Sequence, residues 1–330
     1  MADIRGKNIL VIGGAGFIGS HVVDLLLKED VKQIIIYDNF VRGTLDNIEE
    51  ALKDPRVKVF EIGGDILHSD ILNAAVKESD MVVHLAALWL LQCQDYPRAA
   101  FETNIRGTFN VLEACRDNKV ERLVYSSSAS VYGDAVKIPM EEDHPFNNRT
   151  FYGATKIAGE AMARAFFERF GLTYIGLRYM NVYGPRQDYK GAYITVIMRI
   201  LDRLDRSMPP VLYGDGSQSY DFIYVEDAAR ANVLGLKSDS VDQFYNVGTG
   251  TKTSIKEIAE TLLRITGSDQ EIEFRTEIQS FVTHRVGSTK KARKELNFRA
   301  EIGLEEGLGR LIDWRKHHKQ RFGDKWKVFE

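Results

Sequence analysis

An uninterrupted apolar run, Ile9-Leu10-Val11-Ile12, passes directly into Gly13-Gly14-Ala15-Gly16-Phe17-Ile18-Gly19. A short run of this kind suits a parallel strand covered on both faces. Ile18, Val22, Leu25 and Leu26 then keep a helical apolar period. Strand, glycine turn and helix in that order form the G-x-G-x-x-G unit in the context that makes it specific for a dinucleotide. The glycines let the backbone approach a pyrophosphate, which rests on the helix N-terminus. Gly13, Gly16, Phe17, Ile18 and Gly19 are therefore candidate cofactor contacts.

Gln33-Ile34-Ile35-Ile36-Tyr37 reads as the second strand, and Asp38 closes it at the spacing where a carboxylate accepts from a ribose 2′-hydroxyl. Asn39 follows it into the same site. A 2′-phosphate would be repelled by Asp38, so NAD is expected over NADP, with Arg42 nearby pulling the other way. Further strands are expected at Val57-Lys58-Val59-Phe60, Met81-Val82-Val83, Arg122-Leu123-Val124-Tyr125 and Thr173-Tyr174-Ile175-Gly176-Leu177-Arg178, with helices near 69–78, 98–117 and 154–170. After about residue 181 the alternation gives way to Gly/Pro/Tyr-rich segments. The expected fold is α/β, a Rossmann-type doubly wound parallel sheet with a smaller C-terminal α/β substrate lobe. Residues 1–180 would form the NAD-binding domain, with a return segment at 218–247; 181–217 and 248–330 would form the lobe.

Composition narrows the function class. The 330 residues carry a net charge of -3 and are 44% hydrophobic, enough for a full α/β core. Basic residues are interspersed with acidic ones, so no nucleic-acid partner is expected. No apolar run reaches membrane-spanning length, and the N-terminus runs directly into a strand, which predicts a cytoplasmic protein without a membrane partner. Cys93 and Cys115 have neither a disulfide framework nor a metal-ligand spacing, so they are expected as buried thiols, and no metal site is predicted.

Tyr152 and Lys156 stand at i and i+4, on one helix face, downstream of the dinucleotide fingerprint. A phenol titrates near ~10 and is a poor base at neutral pH. An ammonium beside it stabilises the phenolate and lowers that value. The pair therefore points to hydride chemistry with tyrosine as the proton acceptor.

These features lie within an ordered series: Gly64-Asp65-Ile66, His84-Leu85-Ala86-Ala87, Asn104 before Arg106-Gly107-Thr108, Ser126 through Gly133, the Tyr152/Lys156 pair, Arg178 through Arg186, Gly214-Asp215-Gly216 and Asp221 through Asp227. Over nearly its whole length the chain resembles the extended short-chain dehydrogenase/reductases, in the branch of NAD-dependent nucleotide-sugar epimerases and dehydratases. Within it the chain is most similar to the UDP-hexose 4-epimerases. The resemblance implies that Asp65 and Ile66 flank the adenine, that Ala86 and Ala87 line the nicotinamide side, and that Asn104 fixes the cofactor or the neighbouring strand. It implies that Lys156 holds the nicotinamide ribose while Tyr152 takes the proton from the sugar hydroxyl. Ser128 would bond the same oxygen, and a hydroxyl that both donates and accepts suits an oxygen changing from alcohol to ketone. Leu85, Ser126, Tyr179 and Val182 are assigned to the cofactor wall on the same ground.

The reaction is indicated by an absence. Relatives that dehydrate or decarboxylate the sugar carry acidic residues just before the Val-Tyr-Gly landmark, because removing a C5 proton needs a base. Ala129 and Ser130 stand there instead. A 4-keto sugar without that base takes the hydride back on its other face, so 4-epimerisation is expected, with dehydration or decarboxylation as the alternative if Glu141, Glu142 or Asp143 enters the site. A non-catalytic NAD-sensing protein is the least favoured reading, since the Tyr/Lys pair is intact.

The substrate grip departs from the family. Of two arginines that similar enzymes place on the diphosphate, one is Tyr220 here; the other survives as Arg285, with Ser288 where its aspartate partner is expected. Binding would then rely on Arg285, Asn181 and Arg186 or Lys190. Tyr213 matches a base-stacking position, with a core aromatic as its alternative, and Tyr193 is assigned to the substrate. The loop Leu88 through Pro97 is unusually apolar, and Trp89 would stack on the hexose or pack within the fold. The expected substrate is a nucleoside-diphosphate sugar, with UDP favoured. The resemblance implies a homodimer through the helix starting at Tyr152 and that at 98–117, and Ile157, Met162, Phe166 and Phe167 offer apolar positions beyond those needed against the sheet.

Overall fold

The computed structural model describes residues 3–188, 195–276 and 284–322. Six strands, β1 (Asn8–Ile12), β2 (Gln33–Tyr37), β3 (Val57–Val59), β4 (Met81–His84), β5 (Arg122–Ser128) and β6 (Tyr174–Tyr179), join the edge strand Gln243–Val247 in one parallel sheet. From that edge the order is Gln243–Val247, β6, β5, β4, β1, β2, β3. The order reverses between β1 and β4, and the crevice above the carboxyl ends of those two strands is where such sheets bind ligands.

The apolar strand runs are explained by two cores, one on each face of the sheet. Ile9 and Val11 of β1 and Ile34 and Ile36 of β2 enter the first, with Val22, Val23 and Leu26 of helix α1 (Phe17–Leu26) and Ala228, Ala229 and Leu236 of helix Val225–Lys237. Their alternate neighbours Leu10, Ile12, Ile35 and Tyr37 enter the second, with Leu72, Ala75, Val111, Leu112, Ala163 and Phe166 from helices Ser69–Lys77, Gly107–Asp117 and Phe151–Phe170. Side chains of a strand alternate between faces, so a strand buried on both must be apolar throughout.

A third core joins helices Val196–Asp205, Ile255–Thr266 and Leu304–Phe322 through Ile197, Ile200, Leu201, Ile258, Leu262, Leu308 and Leu311. Phe17 and Ile18 pack against it, so this lobe closes on the glycine turn. Arg315, nearly buried, pairs with Asp202 and Asp205 and fixes the last helix on Val196–Asp205. Among the described residues no helix is long and apolar enough to cross a membrane.

Three expectations are corrected. The segment after Trp89 is helical over Leu90–Asp95 rather than a loop. The helix expected at 98–117 is interrupted over Phe101–Arg106 by π-helical turns, which are rare and recur at functional sites. Phe166 is buried, while Ile157, Met162 and Phe167 are partly buried against the two sheet cores. The exposed aromatic surface of these helical segments is instead Phe101, Phe109, Phe151 and Phe170. A twenty-residue helix that touches the sheet along its length uses most of its apolar positions for that contact.

Candidate active site

A cleft of about 1440 Å³ opens above the sheet at the reversal point and extends into the C-terminal lobe. Its floor is the glycine turn. A Cβ on Gly19 would fall 2.0 Å from the Gly13 carbonyl oxygen, so α1 can begin this close to β1 only with glycine at that position. Gly13, Gly16, Phe17, Ile18 and Gly19 all line the cleft, and Gly16 is the N-cap of α1 with no side-chain partner on the first turn. The first-turn amides of a helix have no intrahelical partner, and such a terminus suits a pyrophosphate.

Asp38 stands where β2 ends. Its carboxylate accepts from the Ala15 amide at 2.9 Å and the Phe40 amide at 2.9 Å, while burial pushes its pKa upward. Asn39, Asp65 and Ile66 lie on the same stretch of wall, and Leu85, Ala86 and Ala87 continue it past β4. Glycine turn, helix start and carboxylate thus fit a dinucleotide extended across the carboxyl ends of β1, β2 and β4.

The hydride-transfer group is built from β5 and the helix Phe151–Phe170. Thr150 caps that helix by accepting from the Gly153 amide at 3.1 Å, which sets Tyr152 in the first turn and Lys156 one turn on. A Cβ on Gly153 would strike Asn148 Oδ1 at 2.1 Å and the Ser130 carbonyl at 2.5 Å, so this glycine brings Tyr152 up to the end of β5. Lys156 is buried and donates to the Ser126 carbonyl at 2.6 Å, with Nζ 5.7 Å from the Tyr152 ring centroid. Burial lowers the Lys156 pKa to about 8.

Burial also raises the Tyr152 phenol to about 12, against opposing pulls from the Ser128 hydroxyl and Arg285. The sequence predicted a lowered phenol, and here desolvation outweighs the neighbouring charges. Ser128 accepts from the Ser130 amide at 3.1 Å and lines the cleft with Tyr152 and Lys156. Ser126 bonds Tyr179 Oη at 3.1 Å, and that phenol donates to Asn232 at 2.8 Å, which sets the wall beside Lys156.

Several motif residues act beneath the site. Arg178 and Glu160 form a bidentate pair at 2.9 and 2.7 Å, each side chain 5% exposed, and Glu160 accepts from Ser127 at 2.5 Å. Arg178 also donates to Tyr132 Oη and the Glu142 carbonyl, both at 2.7 Å. This joins β5, β6 and the Tyr152 helix. Asp221 likewise accepts from the Thr249 and Gly250 amides, both at 2.8 Å. Asn104, expected to fix the cofactor or the neighbouring strand, is not on the cleft wall; its side-chain oxygen accepts from the Leu88 amide at 2.7 Å and its nitrogen donates to the Leu88 carbonyl and Thr155. The sequence marked Asn104 by its motif, but no local signal showed which partners it would take.

On the substrate side, Asn181, Val182, Tyr213, Tyr220 and Arg285 line the cleft, whereas Tyr193 and Lys190 lie outside the described residues. Arg285 is half-buried, and its Nε is a buried atom with no hydrogen-bond partner among the described residues. It is the register partner of Tyr220 on the neighbouring strand, and the Tyr220 ring packs edge-on against Phe222. Arg186 faces the cleft but pairs with Asp24 of α1 at 2.7 Å. Trp89, expected either on the hexose or packed within the fold, lines the cleft, with the Arg42 guanidinium 4.9 Å from its ring centroid.

The carboxylates on the described cleft wall are Asp38, Asp65, Asp188 and Asp202. Asp188 pairs with Arg42 and Asp202 with Arg315. Glu141, Glu142 and Asp143 line a separate hollow, where Glu142 accepts from the Asn246 amide at 2.8 Å. That sequence segment therefore adds no base beside Tyr152.

Comparison with known proteins agrees with this geometry. A putative UDP-glucose 4-epimerase of Methanocaldococcus jannaschii is 34% identical over 320 residues, covering 94% of this chain and 99% of that protein. The UDP-N-acetylglucosamine 4-epimerase of Methanobrevibacter ruminantium M1, solved with UDP-N-acetylmuramic acid, superposes with a TM-score of 0.89 at 32% identity, covering 95% of this chain and 99% of that one. The UDP-glucose 4-epimerase of Thermotoga maritima, solved with UDP-glucose, gives 0.87 at 31% identity, covering 94% and 99%. With the pattern of that family matching residues 9–248 as well, the chain belongs to the NAD dependent epimerase/dehydratase family.

Proposed function

We propose that the protein interconverts the C4 epimers of a UDP-hexose. The observation that carries this reading is the juxtaposition of Ser128, Tyr152 and Lys156 in a cleft whose carboxylates are either at the dinucleotide end or paired to arginine. NAD, when bound, supplies the hydride acceptor and donor, and its positive charge favours the phenolate. Tyr152 takes the proton of the sugar 4-hydroxyl and returns it after the hydride has come back on the opposite face. Ser128 bonds the same oxygen in both states, donating once it is a carbonyl. Lys156 adds a cation that lowers the cost of the phenolate and supplies N–H donors for the cofactor ribose. Arg285 and Asn181 face the diphosphate, and Tyr213 the base.

The three relatives described above act on UDP-glucose or UDP-N-acetylglucosamine by their names, which favours a UDP-sugar here. The protein would work as a two-fold dimer, with Phe101, Phe109, Phe151 and Phe170 covered between protomers. The test is incubation with UDP-glucose, UDP-N-acetylglucosamine, UDP-glucuronic acid and dTDP-glucose without added NADH. Conversion of one UDP-sugar to its C4 epimer is expected. Accumulation of a 4-keto-6-deoxy product or release of carbon dioxide would replace this reading with the dehydratase or decarboxylase one.

A further inference from the structure

Arg42 is a cation close to the ribose end of the dinucleotide groove. Its neighbour Gly43 is so near Asp38 that a Cβ there would fall 2.8 Å from the carboxylate. The Thr44 amide and the Asn47 side chain both donate to the Ala15 carbonyl, at 3.2 and 2.9 Å, which ties the segment to the glycine turn. A guanidinium at this place is the usual partner of a 2′-phosphate, which it grips with two parallel hydrogen bonds. Left to itself, Arg42 would oppose the discrimination that Asp38 provides.

The guanidinium is instead engaged from the other side of the cleft. It donates to Asp188 Oδ2 at 3.1 Å and lies over the Trp89 ring. Asp188 follows a segment strapped to α1: His21 Nε2 meets the Pro185 carbonyl at 3.0 Å, and Arg186 pairs with Asp24 at 2.7 Å. The segment that leads to Asp188 is thus anchored by contacts separate from Arg42.

We propose that Asp188 is a specificity residue for the cofactor: it engages the Arg42 guanidinium and so denies that cation to the 2′-phosphate of NADP. Selection of NAD then has two parts. Asp38 repels the extra phosphate directly, and Asp188 acts as a positioning residue through Arg42, from a segment that the dinucleotide fingerprint does not include.

The test is the ratio of NADP to NAD affinity, measured by titration calorimetry on the full chain freed of nucleotide. Asp188→Asn should tighten NADP relative to NAD by about threefold or more, the scale of one solvent-accessible ion pair. The gain should disappear in Asp188→Asn/Arg42→Ala, and Asp188→Glu, which keeps the charge, should keep the unmodified ratio. An unchanged ratio in a folded Asp188→Asn protein, or parallel weakening of both cofactors, would overturn the proposal. So would a gain that persists without Arg42.

Discussion

At the residue scale, Tyr152 and Lys156 are pushed in opposite directions by one cause. Desolvation disfavours whichever form is charged, so the phenol rises to about 12 and the ammonium falls to about 8. Lys156 is therefore charged below about pH 8 and neutral above it. If its charge supports the phenolate, turnover should fall as pH rises through 8. Lys156→Arg keeps its charge far beyond that range and should lose this alkaline fall, even at a lower plateau rate. Identical profiles for the two proteins would take Lys156 out of the chemistry. Tyr152→Phe removes the ionisable oxygen and keeps the ring, so turnover should fall by roughly 10²-fold or more with UDP-sugar affinity little changed. Arg285→Ala should weaken UDP-sugar binding by about 2–5 kcal/mol, the cost of losing one partner of a desolvated charge pair, and leave NAD binding intact. Titrating each nucleotide separately distinguishes these outcomes.

At the element scale, the site depends on how closely the Tyr152 helix approaches β5, and the Arg178–Glu160 pair lies in that joint. Glu160→Ala would leave the Arg178 cation buried without its counter-ion, which costs about 3–5 kcal/mol. Denaturant unfolding should show that loss, and a drop within about 0.5 kcal/mol, the range of ordinary surface substitutions, would contradict the assignment. The strands and helices of the first half were legible because burial on both faces writes itself as continuous apolar runs. Motif positions were legible too, but not all their duties. Arg178, Tyr132 and Asn104 belong to recognisable motifs, yet their partners lie far away in sequence, at Glu160, Asn246 and Leu88. Local spacing carries no record of such contacts. The pairing of Arg42 with Asp188, 146 residues on, was hidden for the same reason.

At the scale of the whole molecule, the sheet holds the dinucleotide groove and the third core closes a lobe over it. Phe109 is exposed on the helix Gly107–Asp117 and packs against Phe166 from outside. If this face joins two protomers, Phe109→Glu should give monomers in sedimentation, whereas a monomeric unmodified protein at micromolar concentration would contradict the proposed dimer. The central claim is that hydride leaves C4 and returns to C4, because Ala129 and Ser130 stand where a C5 base would be needed. The most direct measurement follows deuterium in a UDP-hexose labelled at C4. The expected product is the C4 epimer with the label still at C4 and no solvent hydrogen at C5. Label recovered at C6, or solvent hydrogen incorporated at C5, would contradict 4-epimerisation.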